Sequence, residues 1–282
     1  MRKWQEITLV VPDDLKDAVI GALSEQGAAG IWENDETRLV AYFDQPPALP
    51  AIESVVRSIF IRASHPPPPI SLLTVEDRDW TEEWKKSYTS FPIGDAFFVI
   101  PSWCVSPCPS DRFPIHIDPG QAFGTGTHET TQLTIEALER WVEPQHVVLD
   151  LGTGSGILAI ASRLLGAGRV FACDIDPVAV RAAYANVERN ANRGVWTFCG
   201  SIDAVGTASV DFLLCNLTHE LILDLFPEIH RAVRPRGFAI FSGILNEQRE
   251  DLHELMRKFG YSVHEEMTRR EWLSLVTQKN AA

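Results

Sequence analysis

Apolar and polar positions alternate along KWQEITLVV (3–11), the period of a half-buried strand. The next segment, DDLKDAVIGALSEQ, sets its apolar residues three and four apart, as an amphipathic helix requires, with Asp13 or Asp14 as its cap. GIWEN and RLVAYFD read as a strand pair, AIESVVRSIFIR as a second amphipathic helix, and ISLLTVED as a closing strand. The order βαββαβ is that of a ferredoxin-like unit. Proline-rich QPPALP (45–50) and SHPPPP (64–69) mark turns or extended segments that a helix cannot cross.

DRDWTEEWKKSY then spaces Trp80, Trp84 and Tyr88 along one stripe of a helix, a pattern read as a packing face. From about residue 91 the pattern changes. Strand-like runs occur at HVVLDL, RVFACDI, VWTFCG, VDFLLCN, GFAIFSG, YSVHEE and WLSLVT, and helical patterns separate most of them. Alternating strands and helices predict an open, mostly parallel sheet covered on both faces. Only a short turn joins the last two strands, so the final one is expected to insert antiparallel. These breaks divide the chain into a small domain (1–64), a linker with a helix (65–90) and a larger domain (91–282).

The totals narrow the function classes. An apolar content of 45% over 282 residues supplies two cores. No run approaches the ~18–20 apolar residues of a membrane helix. MRKWQEITLV lacks the apolar stretch of a signal peptide, which points to a cytoplasmic protein. A net charge of −13 argues against a free-standing nucleic-acid binder and suits either a basic protein partner or simple solubility. The five cysteines are too scattered for a disulfide scaffold. Cys173, Cys199 and Cys215 lie in strand-like runs and are expected in the core, while Cys104 and Cys108 have no second pair to complete a zinc site.

The chemistry concentrates at strand ends. VLDLGTGSGILAIA sits between the first strand of the larger domain and a helix. Gly152, Gly154 and Gly156 are spaced G-x-G-x-G, with Ile157 where a dinucleotide fingerprint carries its third glycine. Asp150 just ahead of the loop disfavours a pyrophosphate but tolerates a cation. One strand later Asp174 stands where a carboxylate accepts both hydroxyls of a ribose. Together these residues describe a site for a nucleoside with a positive, non-phosphate tail, and S-adenosyl-L-methionine meets that description. Asn216, at the end of a later strand, is either a turn residue or an acceptor for a substrate amine. Upstream, DPGQAFGTGTHETT offers amides and hydroxyls, reads as a lid, and places Thr131 in the first turn of a helix. Its His128 is a helix-start residue or a base.

PGQAFGTGTHETT, LDLGTGSGILAIA, DIDP, CNL and SGIL, in this order, resemble the PrmA family, bacterial methyltransferases of the eleventh protein of the large ribosomal subunit. DRDWTEEWKKSY with PIG and IPSW is similar to that family's linker region, and the ferredoxin-like start to its substrate-recognition domain. The resemblance implies an α/β fold: a seven-stranded Rossmann-like methyltransferase domain preceded by a small ferredoxin-like α+β domain. It implies methylation of lysine side chains, and in some members of the α-amine, with S-adenosyl-L-methionine as donor. The implied partner is a basic ribosomal protein, free or on the ribosome, with no membrane, no direct nucleic-acid substrate and a monomeric enzyme. The family's donor positions fall on Thr131, Gly152, Asp174 and Asn216. Phe123, Gly124, Thr125, Asp150, Gly154 and Ile175 complete the expected donor set, and Asn216 is the expected catalytic contact. Many members continue after the asparagine with Ile-Leu-Ala and a proline; this chain has Leu217, Thr218, His219 and Glu220, so its substrate-side wall differs.

Overall fold

The computed structural model describes residues 3–12, 15–33, 38–63, 65–76, 88–118, 123–191 and 193–281. The chain divides into two compact units, Met1–Ser87 and Tyr88–Ala282. Asp13, Asp14, Trp80 and Trp84 lie outside the described residues.

The first unit runs β1 (Lys3–Val10), α1 (Lys16–Glu25), β2 (Gly30–Glu33), β3 (Arg38–Phe43), α2 (Leu49–Arg62) and β4 (Ser71–Glu76). Its sheet has the order β2-β3-β1-β4, antiparallel throughout. The alternation in β1 has a simple cause. Ile7 and Leu9 are buried in one core with Leu39, Ala41 and Phe43 of β3, Val19 and Leu23 of α1, and Ile52, Val56 and Phe60 of α2. β4 pairs along β1 from Lys3↔Glu76 to Thr8↔Ser71. A boundary at residue 64 therefore separates a strand from its own sheet, and the compact unit extends beyond it.

The second unit opens with β5 (Phe91–Ile93), β6 (Phe97–Pro101) and β7 (Phe113–Ile117), which form a separate three-stranded sheet. The hydrophobic pattern does not reveal this sheet, because strands so short, broken by Pro92, Gly94 and Pro101, hold too few alternations. There follow α3 (Glu129–Trp141), β8 (Val147–Leu151), α4 (Ile157–Leu164), β9 (Arg169–Asp174), α5 (Pro177–Arg189), β10 (Val195–Cys199) and β11 (Val210–Asn216). The chain ends with α6 (His219–Ala232), β12 (Val233–Leu245), α7 (Arg249–Phe259), β13 (Tyr261–Arg269) and β14 (Trp272–Lys279).

These last strands build a seven-stranded Rossmann-like sheet in the order β10-β9-β8-β11-β12-β14-β13. β10 to β12 are parallel, and β14 inserts between β12 and β13, antiparallel to both. Both faces are covered, so the strands read as continuous apolar runs. Val148, Phe212 and Leu214 pack toward α3 and α4, while Leu149, Leu213 and Cys215 pack toward α6 and α7. The chain builds outward from β8 through β9 to β10, then returns to lay β11 on the other side of β8. Strand order reverses there, and the carboxyl ends of β8, β9 and β11 open onto one crevice.

Cys173 and Cys215 are fully buried, as expected. Cys199 is exposed, because β10 is an edge strand and Cys199 is its last residue. Among the described residues no cluster of His, Cys, Asp and Glu is arranged to hold a metal ion. Among the same residues no helix is long and apolar enough to cross a membrane.

Candidate active site

The glycine loop is the hinge of the site. After Leu151 the chain turns through residues 152–156 into α4. The amides of Gly152 and Thr153 both donate to the Cys173 carbonyl at 2.9 Å, tying the loop to the end of β9. The Gly154 amide donates to Asp174 Oδ2 at 3.0 Å, and the Asp176 amide to Asp174 Oδ1 at 3.0 Å. The carboxylate of Asp174 is thus held by one amide on each oxygen, with a further lone pair on each left to accept a ligand hydroxyl. Asp174 is half-buried, and Ile175 beside it is 75% exposed, an apolar surface that a flat base can cover. Gly154 has φ 54°, and a Cβ there would lie 2.4 Å from the Phe123 carbonyl oxygen, so only glycine fits.

Asp150 stands at the carboxyl end of β8, just ahead of the loop. It is 0% exposed, and its Oδ2 accepts the Thr153 hydroxyl at 2.5 Å. Burial pushes its carboxyl up to about 7, and the charge of Asp174 adds to the rise. Its Oδ2 thereby braces the loop from within, while its Oδ1 is buried without a hydrogen-bond partner among the described residues.

Asn216 ends β11 and is half-buried on the same sheet edge. Its register partner in β12 is Ser242, whose hydroxyl donates to the Thr130 carbonyl at 3.2 Å, which brings the start of α3 over this edge. Thr131, in that first turn, is fully buried, and its Oγ1 lacks a hydrogen-bond partner among the described residues. A buried hydroxyl left unpaired costs about 1–3 kcal/mol, and a ligand atom would relieve that cost. A Cβ at Gly152 would lie 2.5 Å from Leu217 Cδ2, so the residue after Asn216 abuts the glycine loop. Gly243, in SGIL, has the same logic: a Cβ there would lie 2.4 Å from the Leu217 carbonyl oxygen and 3.2 Å from Asn216 Oδ1.

The upstream segment closes the site. Residues 119–122 lie outside the described residues. Phe123 is 58% exposed, and its carbonyl accepts the Ser155 amide at 2.8 Å. The Gly124 carbonyl accepts the Ser155 hydroxyl at 2.5 Å, and the Thr125 carbonyl accepts the Tyr88 hydroxyl. Gln132 Nε2 donates to the Thr127 carbonyl at 3.0 Å. A stretch whose glycines suggest a mobile lid is therefore held through most of its carbonyls. His128 is the N-cap of α3, accepting the Thr130 amide, and its ring packs edge-on against Phe123 at 5.3 Å and Trp272 at 5.0 Å. Its observed place is thus the helix start.

Ser155 and Asn186 escape sequence reasoning. Asn186, on α5, is fully buried; its Nδ2 donates to the carbonyls of Ser155 at 2.9 Å and Asp118 at 3.1 Å, and its Oδ1 accepts the Asp118 amide at 2.8 Å. The available signal is an asparagine on the inward face of α5, beside Ala179, Ala183 and Val187. His219, where the resembling family carries a smaller residue, is also buried, with Nε2 3.7 Å from Asp251 Oδ2.

A family model described as ribosomal protein L11 methyltransferase (PrmA) matches residues 3–280. A protein of that name from Synechococcus elongatus is 34% identical over 291 residues, covering 98% of this chain and 96% of the relative. Another, from Bacillus cytotoxicus, is 34% identical over 310 residues, covering 98% and 99%. A crystal structure described as ribosomal protein L11 methylase from Lactobacillus delbrueckii subsp. bulgaricus superposes with a TM-score of 0.63 at 32% identity, covering 68% of this chain and all of that one.

Proposed function

The chain belongs to the PrmA family of ribosomal protein L11 methyltransferases, and from that premise we propose that it methylates lysine amino groups of ribosomal protein L11 at the crevice between β8 and β11. The donor is S-adenosyl-L-methionine, which supplies a methyl group on a positively charged sulfur. The carrying observation is the pair of polar groups on one sheet edge: Asp174, oriented by two loop amides, and Asn216, at the end of β11.

In this reading Asp174 binds the ribose hydroxyls, Gly152 lets the donor approach the loop backbone, and Phe123 and Ile175 cover the base. The Thr131 hydroxyl, unpaired in its buried place, completes the donor's contacts. Asn216 accepts a hydrogen bond from the attacking amine. A lysine must lose its proton to attack, and its ordinary value near ~10.4 falls in a poorly hydrated site beside a positive charge. Leu217, beside Asn216 and against the glycine loop, favours that drying. Transfer is then mainly a matter of placing amine and donor in line.

The first unit carries none of the donor residues, which supports a role in holding the substrate protein. The acidic balance of −13 suits a basic ribosomal partner in the cytoplasm. The test is incubation with methyl-labelled donor and unmodified L11, followed by peptide mapping. Label on lysine amines supports the proposal; label confined to other side chains, or none with folded, donor-bound protein, rejects it.

A further inference from the structure

We propose that Tyr88 and Ser155 form a two-point latch that holds residues 123–127 against the glycine loop, making both hydroxyls positioning groups for the donor. The inference rests on the donor site described above. Ser155 grips the segment twice, donating its amide to the Phe123 carbonyl at 2.8 Å and its hydroxyl to the Gly124 carbonyl at 2.5 Å. Tyr88 takes the next carbonyl, that of Thr125. Three consecutive peptide carbonyls are thus fixed by groups of the chain itself, two of them by the glycine loop.

Both anchors are themselves held. Ser155 is fully buried, and its own carbonyl accepts Asn186 Nδ2 at 2.9 Å. Tyr88 is 7% exposed, with its ring packed edge-on against Phe91 at 5.9 Å and tilted against Trp103 at 6.0 Å. Burial raises its phenol above the ordinary value, so at physiological pH it remains a donor. Glycines at 124 and 126, with φ of 94° and 91°, let the strip adopt this course but do nothing to keep it there. The hydroxyls supply the restraint. A segment ordered before the donor arrives loses less entropy on binding, so the latch works through donor affinity.

The test uses the full chain with Tyr88→Phe, which removes one hydroxyl and keeps the ring, and Ser155→Ala, which keeps the amide bond to Phe123. Two measurements are made: calorimetric titration with S-adenosyl-L-methionine, and amide hydrogen exchange across residues 123–127. Each variant should raise the donor Kd roughly 2- to 12-fold, the span a single neutral hydrogen bond allows. The donor KM should rise more than kcat falls, since the bond acts first on binding. Exchange should quicken in 123–127 and not in the sheet. Unchanged or tighter donor binding with unchanged local exchange overturns the latch, as does a lowered melting temperature with neither effect. If the wild-type chain itself fails to bind the donor, the donor-site reading falls, and hydrogen exchange alone still decides whether these hydroxyls hold the segment.

Discussion

Replacing Asp174 with alanine removes a bonding partner from both the loop and the donor. The carboxylate accepts the amides of Gly154 and Asp176, each at 3.0 Å, and is read as accepting two ribose hydroxyls on its remaining lone pairs. Hydrogen bonds to a charged group are worth about 1.5–3 kcal/mol each, so losing both ribose bonds costs the donor about 3–6 kcal/mol at most. Asp174 is half-buried, so water replaces part of what is lost, and the lower end of that range applies. A rise of ~100-fold in donor Kd is therefore expected. Asp174→Asn should be milder, about 10-fold, because it keeps one acceptor oxygen but turns an NH2 toward one of the two loop amides. Calorimetric titration measures both values, with circular dichroism confirming that each variant is folded. An Asp174→Ala protein that is folded and binds the donor within ~3-fold of wild type would refute the ribose role. Lost stability at unchanged affinity would reduce Asp174 to a brace for the loop.

Other residues test other parts of the site. Asn216→Ala should slow single-turnover methyl transfer ~10- to 100-fold at saturating donor while raising the donor Kd less; a normal rate with a raised Kd would reassign Asn216 to donor binding. Asp150 titrates near 7 when folded against an ordinary 3.8, so its stabilising contribution is complete below about pH 4 and is lost as pH rises through 7. In Asp150→Asn that dependence should vanish, so the stability difference between wild type and variant should shift by about 2–3 kcal/mol between roughly pH 5 and pH 8. Denaturant melts showing a constant difference would contradict the buried, protonatable brace. Gly154→Ala places a methyl 2.4 Å from the Phe123 carbonyl oxygen, which the Ser155 amide holds, whereas Gly152→Ala meets the mobile Leu217 Cδ2 at 2.5 Å. Thermal melts should show the first losing at least ~2 kcal/mol more than the second; equal losses would mean the Phe123 strip yields easily.

Much of the protein is legible in local patterns. Alternation in KWQEITLVV and in RLVAYFD specifies strands with one buried face, since neighbouring side chains point to opposite sides whatever the tertiary setting. The G-x-G-x-G spacing after HVVLDL is read as a tight turn that lets a ligand approach the backbone, because the sharp turn and the close approach it permits are properties of a few consecutive residues. The antiparallel pairing of β14 with β13 follows from the short turn before it. Tertiary structure alone decides the rest. The closing strand β4 lies beside β1 rather than another strand, a pairing between segments far apart in the chain. Asp150 reads in sequence as one more polar residue beside the loop, and only packing over β8 buries it and raises its carboxyl toward neutrality. The lid-like glycine segment is held by Tyr88 and Ser155, and Ser155 by Asn186 on another helix. Periodicity and spacing express forces that act within one element, so they can be read from one segment at a time. Burial, register and the partner of each polar group depend on which distant elements meet, and only the assembled sheet with its helices determines that.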